Sequence, residues 1–381
     1  MLQFCISQQS NETPFIFPST GISVYSFEEA VYHVFHYWRE SADNFLSEAM
    51  ITWVSELGLS FIASKMKEIV KEKSFSTRIL DFLQLIEYFE PSELANLHST
   101  LKTWEQRREW EQLKERADFL VERGEPSKAL PFYRQALQLE ENATLLNNIG
   151  VASMQLSAPN DALHYLTRAH ALDPHNISIM LHYTEAAILS KQFEDAIKML
   201  KNINIDCADT LFLHGLLACE QQDYTTALTF YEQAIKLDPT TTHYVYKMVD
   251  VYIAIHQYDM ALNTLLHVKK TDTNYYVKEA EIHAAAGNIK ASLSCMHKVT
   301  NDTNNAIMWA KLAEYYRQDN DLPNAEKAIS QAQKLAHGME NDKIRLERAR
   351  IKKSIGRTRE HQAELTELLN RFKERYRADR L

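Results

Sequence analysis

Apolar residues return along most of this chain at intervals of three and four, the spacing of one face of a helix. The stretch from Ala208 to Pro239, ADTLFLHGLLACEQQDYTTALTFYEQAIKLDP, shows the pattern in its most compact form. It predicts two short amphipathic helices joined by a tight turn. Gly215 sits within the first helix, Ala227 and Ala234 lie seven apart on the second, and Asp238-Pro239 ends it. The same pattern recurs on both sides.

The N-terminal part reads differently. Residues 1–25 contain Pro14 and Pro18 and lack helical periodicity, which predicts an irregular, extended lead-in. Ser26 followed by Glu29 is a capping box, and Phe27, Val31, Val34, Phe35 and Trp38 follow at helical spacing. A second helix is expected near Ser47 to Ser55, with Gly58 interrupting the path before Phe61–Lys73. Another is expected from Ser76 to Phe89, with Ile79, Phe82, Leu83, Ile86 and Phe89 on one side. Residues 26–100 therefore read as an N-terminal helical domain that matches no repeat. Residues 1–100 carry 6 basic and 13 acidic side chains, a net charge of −7. Pro91 suits the first turn of the next helix. No Pro or Gly appears from Ser92 to Arg123, so one long helix, or two nearly collinear ones, is expected there.

From residue 101 the chain becomes periodic. A small residue early in each second helix falls at Ala129, Ala162, Ala196, Ala227, Ala261, Ser292 and Ala325, in steps of 33, 34, 31, 34, 31 and 33. A period near 34 made of helix pairs marks a repeat array. A helix pair this short cannot bury its own apolar face, so stacked neighbours bury it jointly and an α-solenoid results. The array is expected over residues 101–340. Residues 341–381 read as a degenerate, basic unit that caps it. Ile344, Leu346 and Ala349 open that unit, Gly356 makes its turn, and His361 stands where the small residue belongs. Leu365, Leu368, Leu369, Phe372 and Tyr376 form its apolar stripe.

These residues resemble the tetratricopeptide repeat family over about residues 110–340, as seven repeats. Trp309, Leu312, Ala313 and Tyr316 match the first part of the family pattern, with Ala313 in place of its glycine. Gly150, Ala162, Ala169 and Pro174 match the later part, as do Gly215, Ala227, Tyr231, Ala234 and Pro239, while Gly124, Ala129, Tyr133 and Ala136 mark the first repeat. The third and fifth repeats keep Ala196 and Ala261 but lack the second alanine and the final proline. The resemblance implies an all-α, right-handed superhelix of antiparallel helix pairs whose first helices line a concave groove for a protein or peptide partner. Carried onto this sequence, it offers Asn147, Asn148, His182, Leu216, Tyr246, Lys247, Asp250, Lys278, Glu281, Lys311, Glu314 and Arg317 as groove candidates. Lys114 and Asp118 stand on the same face of the first repeat. Phe212, Leu213, Leu216 and Cys219 would make an apolar stretch ahead of three charged repeats.

Lys247/Asp250, Lys278/Glu281 and Lys311/Glu314 each place an acid three residues after a lysine, in the same repeat register. Such pairs meet within one helix and support it locally. Alternatively they form a mixed-charge ladder that reads a partner. Some family members grip a partner's C-terminal carboxylates through a two-carboxylate clamp. Lys114 and Asn148 match that clamp, but Asp118 replaces an asparagine, and Ser178 and His182 replace a lysine and an arginine. Chaperone-tail binding of that kind is therefore not expected.

Composition adds exclusions rather than a chemistry. Only 8 Gly and 9 Pro in 381 residues disfavour a turn-rich β fold. A formal net charge of −9 argues against general nucleic-acid binding. No phosphate-binding glycine loop, nucleophile elbow, HExxH or kinase signature occurs. Cys5, Cys207, Cys219 and Cys295 are scattered, with no histidine at ligand spacing, and read as thiols of a reducing compartment. His33 and His36 share a helix face and read as a surface or boundary pair. The basic run Arg345 to Arg359 reads as a solvated cap face or a dock for an acidic protein. The N-terminus has no secretory signature, and no stretch approaches a membrane span. The expectation is a cytoplasmic, non-catalytic scaffold or adaptor without cofactor or metal, binding a protein or peptide in its groove. A peptide-sensing regulator with an N-terminal effector domain is the alternative.

Overall fold

A computed structural model of the chain describes residues 13–18, 21–203, 207–302, 305–336 and 342–378. Cys5 and Glu340, and the side chains of Phe372 and Tyr376, lie outside the described residues. Among the described residues the fold is all-α apart from one two-residue-deep hairpin, β1 (Phe15–Ile16) with β2 (Ser23–Val24). The chain divides into two compact units, Met1–Ala196 and Ile197–Leu381.

The first unit opens with that hairpin and the helices α1 (Phe27–His36), α2 (Trp38–Ser41), α3 (Glu48–Glu56), α4 (Ser60–Ile69), α5 (Phe75–Leu83) and α6 (Pro91–Glu105). Phe17, Phe27, Phe45, Ile79, Phe82, Leu101 and Trp104 are among the residues of one buried cluster. The lead-in is thus more than an extended approach: Phe17 is fully buried, and β1 and β2 hold it in the core. Ser26 caps α1 by accepting from the Glu29 amide, and Glu29 reaches back to the Tyr25 amide. The helix expected from Ser76 to Phe89 stops at Leu83, although Ile86 and Phe89 still pack on the cluster.

The stretch from Ser92 to Arg123 is two helices, α6 and α7 (Glu109–Glu122), broken at residues 106–108 without Gly or Pro. Side chains make the break. Glu105 accepts from the Phe75 amide at 2.6 Å and the Ser76 hydroxyl at 2.7 Å, which commits the end of α6 to capping α5. Gln112 then donates to the carbonyls of Trp104, Glu105 and Arg107, satisfying the freed end of α6.

The helices α8 (Pro126–Leu139), α9 (Ala143–Gln155), α10 (Pro159–Leu172) and α11 (Ile177–Leu189) complete this unit, and α12 (Phe193–Asn202) crosses its boundary. Within the unit, α7 seats the N-terminal helices on the helix pairs. Arg39 pairs with Glu115 at 2.7 Å, Arg116 with Asp43 at 2.5 Å and Arg123 with Glu40 at 3.0 Å. The Glu40 side chain is only 1% exposed, so the carboxylate of that last pair is buried. The Arg123 guanidinium also lies over the Tyr37 ring. His33 is buried as well, against the rings of Phe17 and Tyr37, rather than at the surface. Burial, with Arg123 and His36 nearby, lowers its imidazole to about 4 and keeps it neutral.

The second unit holds α13 (Ala208–Glu220), α14 (Tyr224–Leu237), α15 (Thr242–Ala254), α16 (Tyr258–Leu265), α17 (Thr273–Ala285), α18 (Ile289–Asp302), α19 (Ala306–Gln318), α20 (Leu322–Leu335), α21 (Asp342–Ser354) and α22 (Thr358–Ala378). Each odd-numbered helix here packs on its successor.

One turn geometry recurs through both units. Gly124, Ser157, Lys191, Gln222, His256, Gly287, Asn320 and Gly356 all have φ between 59° and 82°. Each lies five residues before the small position, including His361 in the last helix pair. The next residue's amide bonds the carbonyl five back, as Asp223 does to Ala218 and Arg357 to Lys352, closing a left-handed helix cap. The seven small residues are fully buried. The helices touch at those positions: a Cβ on Gly215 would lie 2.6 Å from the Tyr231 ring and 3.2 Å from the Ala227 carbonyl oxygen. Where alanine is absent, a polar residue takes its place by bonding the facing backbone. Ser292 Oγ donates to Ala280 O at 2.9 Å, and His361 Nδ1 bonds Ala349 O at 2.8 Å.

Candidate functional site

The first helices of the pairs carry half-buried polar side chains that bond across from one pair to the next. In the first unit these lie on α7, α9 and α11. Asp118 accepts from Lys114 at 2.6 Å, from the Tyr133 hydroxyl at 2.6 Å and from Asn148 Nδ2 at 2.8 Å. Asn147 Oδ1 bonds His182 Nδ1 at 2.8 Å, which requires the Nδ1–H tautomer. Burial and the neighbouring Asp118 carboxylate push the Tyr133 hydroxyl well above its ordinary range, so it stays a donor. The acid at 118, out of place for a carboxylate clamp, is the hub of this network.

In the second unit the Lys/acid register forms a ladder, and its rungs run mostly between helices. Lys278 Nζ reaches Asp250 on α15 and Glu281 on its own helix, both at 2.6 Å. Lys311 on α19 reaches back to Glu281. Of the three expected i,i+3 pairs, only Lys278–Glu281 forms. Lys247 and Glu314, the two ends of the register, enter no ion pair among the described residues. Arg317 pairs with Glu347 on α21 at 2.5 Å. Desolvation opposes the charge on Lys278, but Asp250 and Glu281 outweigh it and hold the ammonium above its usual range. Glu281 likewise pays a desolvation penalty that Lys311 and Lys278 overcome, so its carboxyl stays below its usual range. Tyr246 donates at 3.0 Å to Asp272, the capping residue of α17, and so ties α15 to the next pair.

Of the four apolar candidates, only Cys219 is part-exposed. Leu216 is 3% exposed, and Phe212 and Leu213 are buried with it. The Phe212 ring lies between Tyr231 of α14 and His243 and Tyr244 of α15, so α13 spends its apolar face on its own neighbours. Part of the basic run is also occupied: Arg345 pairs with Glu367, and Arg348 and Lys352 share Glu364.

One constellation was missed. Glu279 and His283 on α17 and Cys295 on α18 bring their ligand atoms within 4.8 Å of one another. Twelve residues separate the histidine from the cysteine, so no short motif announces the group. The signal is the register of the helix pair, which sets a first-helix residue against the one about sixteen further on. His33 and His36 share no such group among the described residues.

The sequence pattern of the tetratricopeptide repeat matches residues 153–211 and 208–241. No curated protein matches the chain. Among solved structures, a tetratricopeptide repeat protein from Parabacteroides merdae is similar at 17% identity, covering 65% of this chain and 99% of that one, with a TM-score of 0.44. MamA from Desulfovibrio magneticus is similar at 16% identity, covering 42% and 92%, with a TM-score of 0.33. YrrB, described as having an unusual peptide-binding site, is similar at 15% identity, covering 46% and 94%, with a TM-score of 0.29. No helix among the described residues is long and apolar enough to cross a membrane.

Proposed function

Taking as premise that the chain is a tetratricopeptide repeat protein, we propose that it is a non-catalytic scaffold whose first helices bind an extended protein segment. One observation carries this reading. Half-buried amides, carboxylates and ammonium groups recur on first helices at matching repeat positions, already oriented by bonds to one another. A partner's backbone and polar side chains meet donors and acceptors whose ordering cost was met on folding. The ends of the register, Lys247 and Glu314, are half-buried and supply charge to an incoming segment, and Asn147, Asn148 and His182 supply directional hydrogen bonds. Leu216 belongs to the support and not to the contact.

The reading is tested by affinity capture with the full chain against two variants, Asn147→Ala/Asn148→Ala/His182→Ala and Lys247→Glu/Glu314→Lys. A specific partner recovered by the natural chain should be lost or strongly reduced with both. Capture of the same proteins in the same amounts by all three chains would reject this face as the binding surface.

A further inference from the structure

Glu279, His283 and Cys295 take no part in the polar face described above, and their chemistry is distinct from it. We propose that these three side chains form a binding site for a divalent cation of the zinc type, with a fourth position open to water.

The helix pair builds the site. Glu279 and His283 are one turn apart on α17 and so project from the same side. Gly287, with φ of +80°, reverses the chain and lays α18 back along α17. Ser292 Oγ then pins α18 to the Ala280 carbonyl, one residue from Glu279. Cys295 follows Ser292 by about one turn and is 6% exposed, with Met296 and Ala280 fully buried beside it. Its thiol donates to Glu279 Oε2 at 3.2 Å.

The donor set selects the metal. One thiolate, one imidazole and one carboxylate suit a borderline-soft ion that accepts sulfur, nitrogen and oxygen together. Magnesium and calcium prefer oxygen alone. Around zinc, bonds of about 2.0–2.3 Å place tetrahedral ligand atoms roughly 3.3–3.8 Å apart. The Cys295–Glu279 separation is already of that order, and the full set within 4.8 Å closes on an ion by side-chain rotation. A coordinated ion takes the place of the thiol proton, since a coordinating thiol is deprotonated outright.

The test is a cobalt titration of the full-length, tag-free chain after treatment with a chelator. One equivalent of Co2+ should produce a thiolate-to-cobalt charge-transfer band in the near ultraviolet, and Zn2+ should abolish it. Cys295→Ser should remove the band while Cys207→Ser keeps it. His283→Gln and Glu279→Gln should each weaken cobalt binding at least about tenfold, the scale of losses at metal sites. Circular dichroism of each variant establishes that it remains helical. No stoichiometric uptake by the natural chain would overturn the proposal. So would a thiolate band that survives Cys295→Ser, or affinity indifferent to both Gln substitutions.

Discussion

Replacing Gly215 by alanine separates close helix approach from helix propensity, because the two predict opposite signs. Propensity alone makes the change stabilising by about 1 kcal/mol in a helix interior. The geometry argues the other way. The new Cβ would lie 2.6 and 2.7 Å from two carbons of the Tyr231 ring and 3.2 Å from the Ala227 carbonyl oxygen. Carbon atoms rest at about 3.5–4.0 Å, so the ring must retreat by roughly 1 Å. Tyr231 is fully buried and its ring has Phe212 beside it at 5.7 Å, so there is little space to enter. Overpacking of this kind costs about 1–3 kcal/mol. Set against the propensity gain of about 1 kcal/mol, Gly215→Ala should be neutral to destabilising, by up to about 2 kcal/mol. Urea unfolding followed by circular dichroism, with amide exchange of α13 as a local probe, measures it. A double-mutant cycle supplies the control: in a Tyr231→Ala background the same change should become neutral or stabilising. If Gly215→Ala stabilises the natural chain, the close approach of α13 and α14 is not what demands glycine there.

Further outcomes follow from the same geometry. Gln222→Gly should stabilise by about 1 kcal/mol, because a left-handed backbone strains any residue with a Cβ; a loss of stability would mean that its side chain contributes. Arg123→Met should cost about 3–5 kcal/mol at neutral pH by stranding the buried Glu40 carboxylate. Glu40 already has a raised carboxyl through burial, so this penalty should shrink as the pH falls and the group takes up a proton; a penalty independent of pH would refute the assignment. Glu281→Gln should also lose its penalty in acid, but for the converse reason, a carboxyl that the fold holds down rather than up. Its lowered carboxyl stabilises above the unfolded value of about 4.3, and that contribution disappears as the pH falls through the folded value. The two chains should therefore differ at pH 7 and converge in acid, as denaturation curves at several pH values would record. In the chelator-treated chain Cys295, whose thiol burial and Glu279 push up to about 12, should be the slowest of Cys207, Cys219 and Cys295 to react with a disulfide reagent.

The helix pairs were legible because their signal is local and repeated. A small residue every 31 to 34 positions marks helix contact wherever it recurs, and all seven such residues are fully buried. The break at 106–108 was not legible, since it depends on Glu105 and Gln112 finding partners in other segments rather than on Gly or Pro. The turn geometry is legible only where glycine marks it, at Gly124, Gly287 and Gly356. Elsewhere Ser157, Lys191, Gln222, His256 and Asn320 adopt positive φ because helix packing on both sides imposes it. On the polar face of the first helices, the sequence identified matching lysines and acids but not which would meet. Lys278 sits between acids on two helices, a fact of the spacing between pairs. Leu216 was misplaced for a related reason: a first helix buries more than one side, so an apolar residue assigned to the groove served the core.

The proposed binding role of the first helices is tested most directly by site-specific photo-crosslinking in cells of the source organism. A photoreactive residue is placed at Asn147, at Lys247 or at Glu314, and, for comparison, at Lys198 and Lys236 on second helices. The account predicts that one protein partner is captured from all three first-helix positions and from neither second-helix position. Capture from the second helices alone, or no partner at any first-helix position in a chain that remains folded, would contradict it.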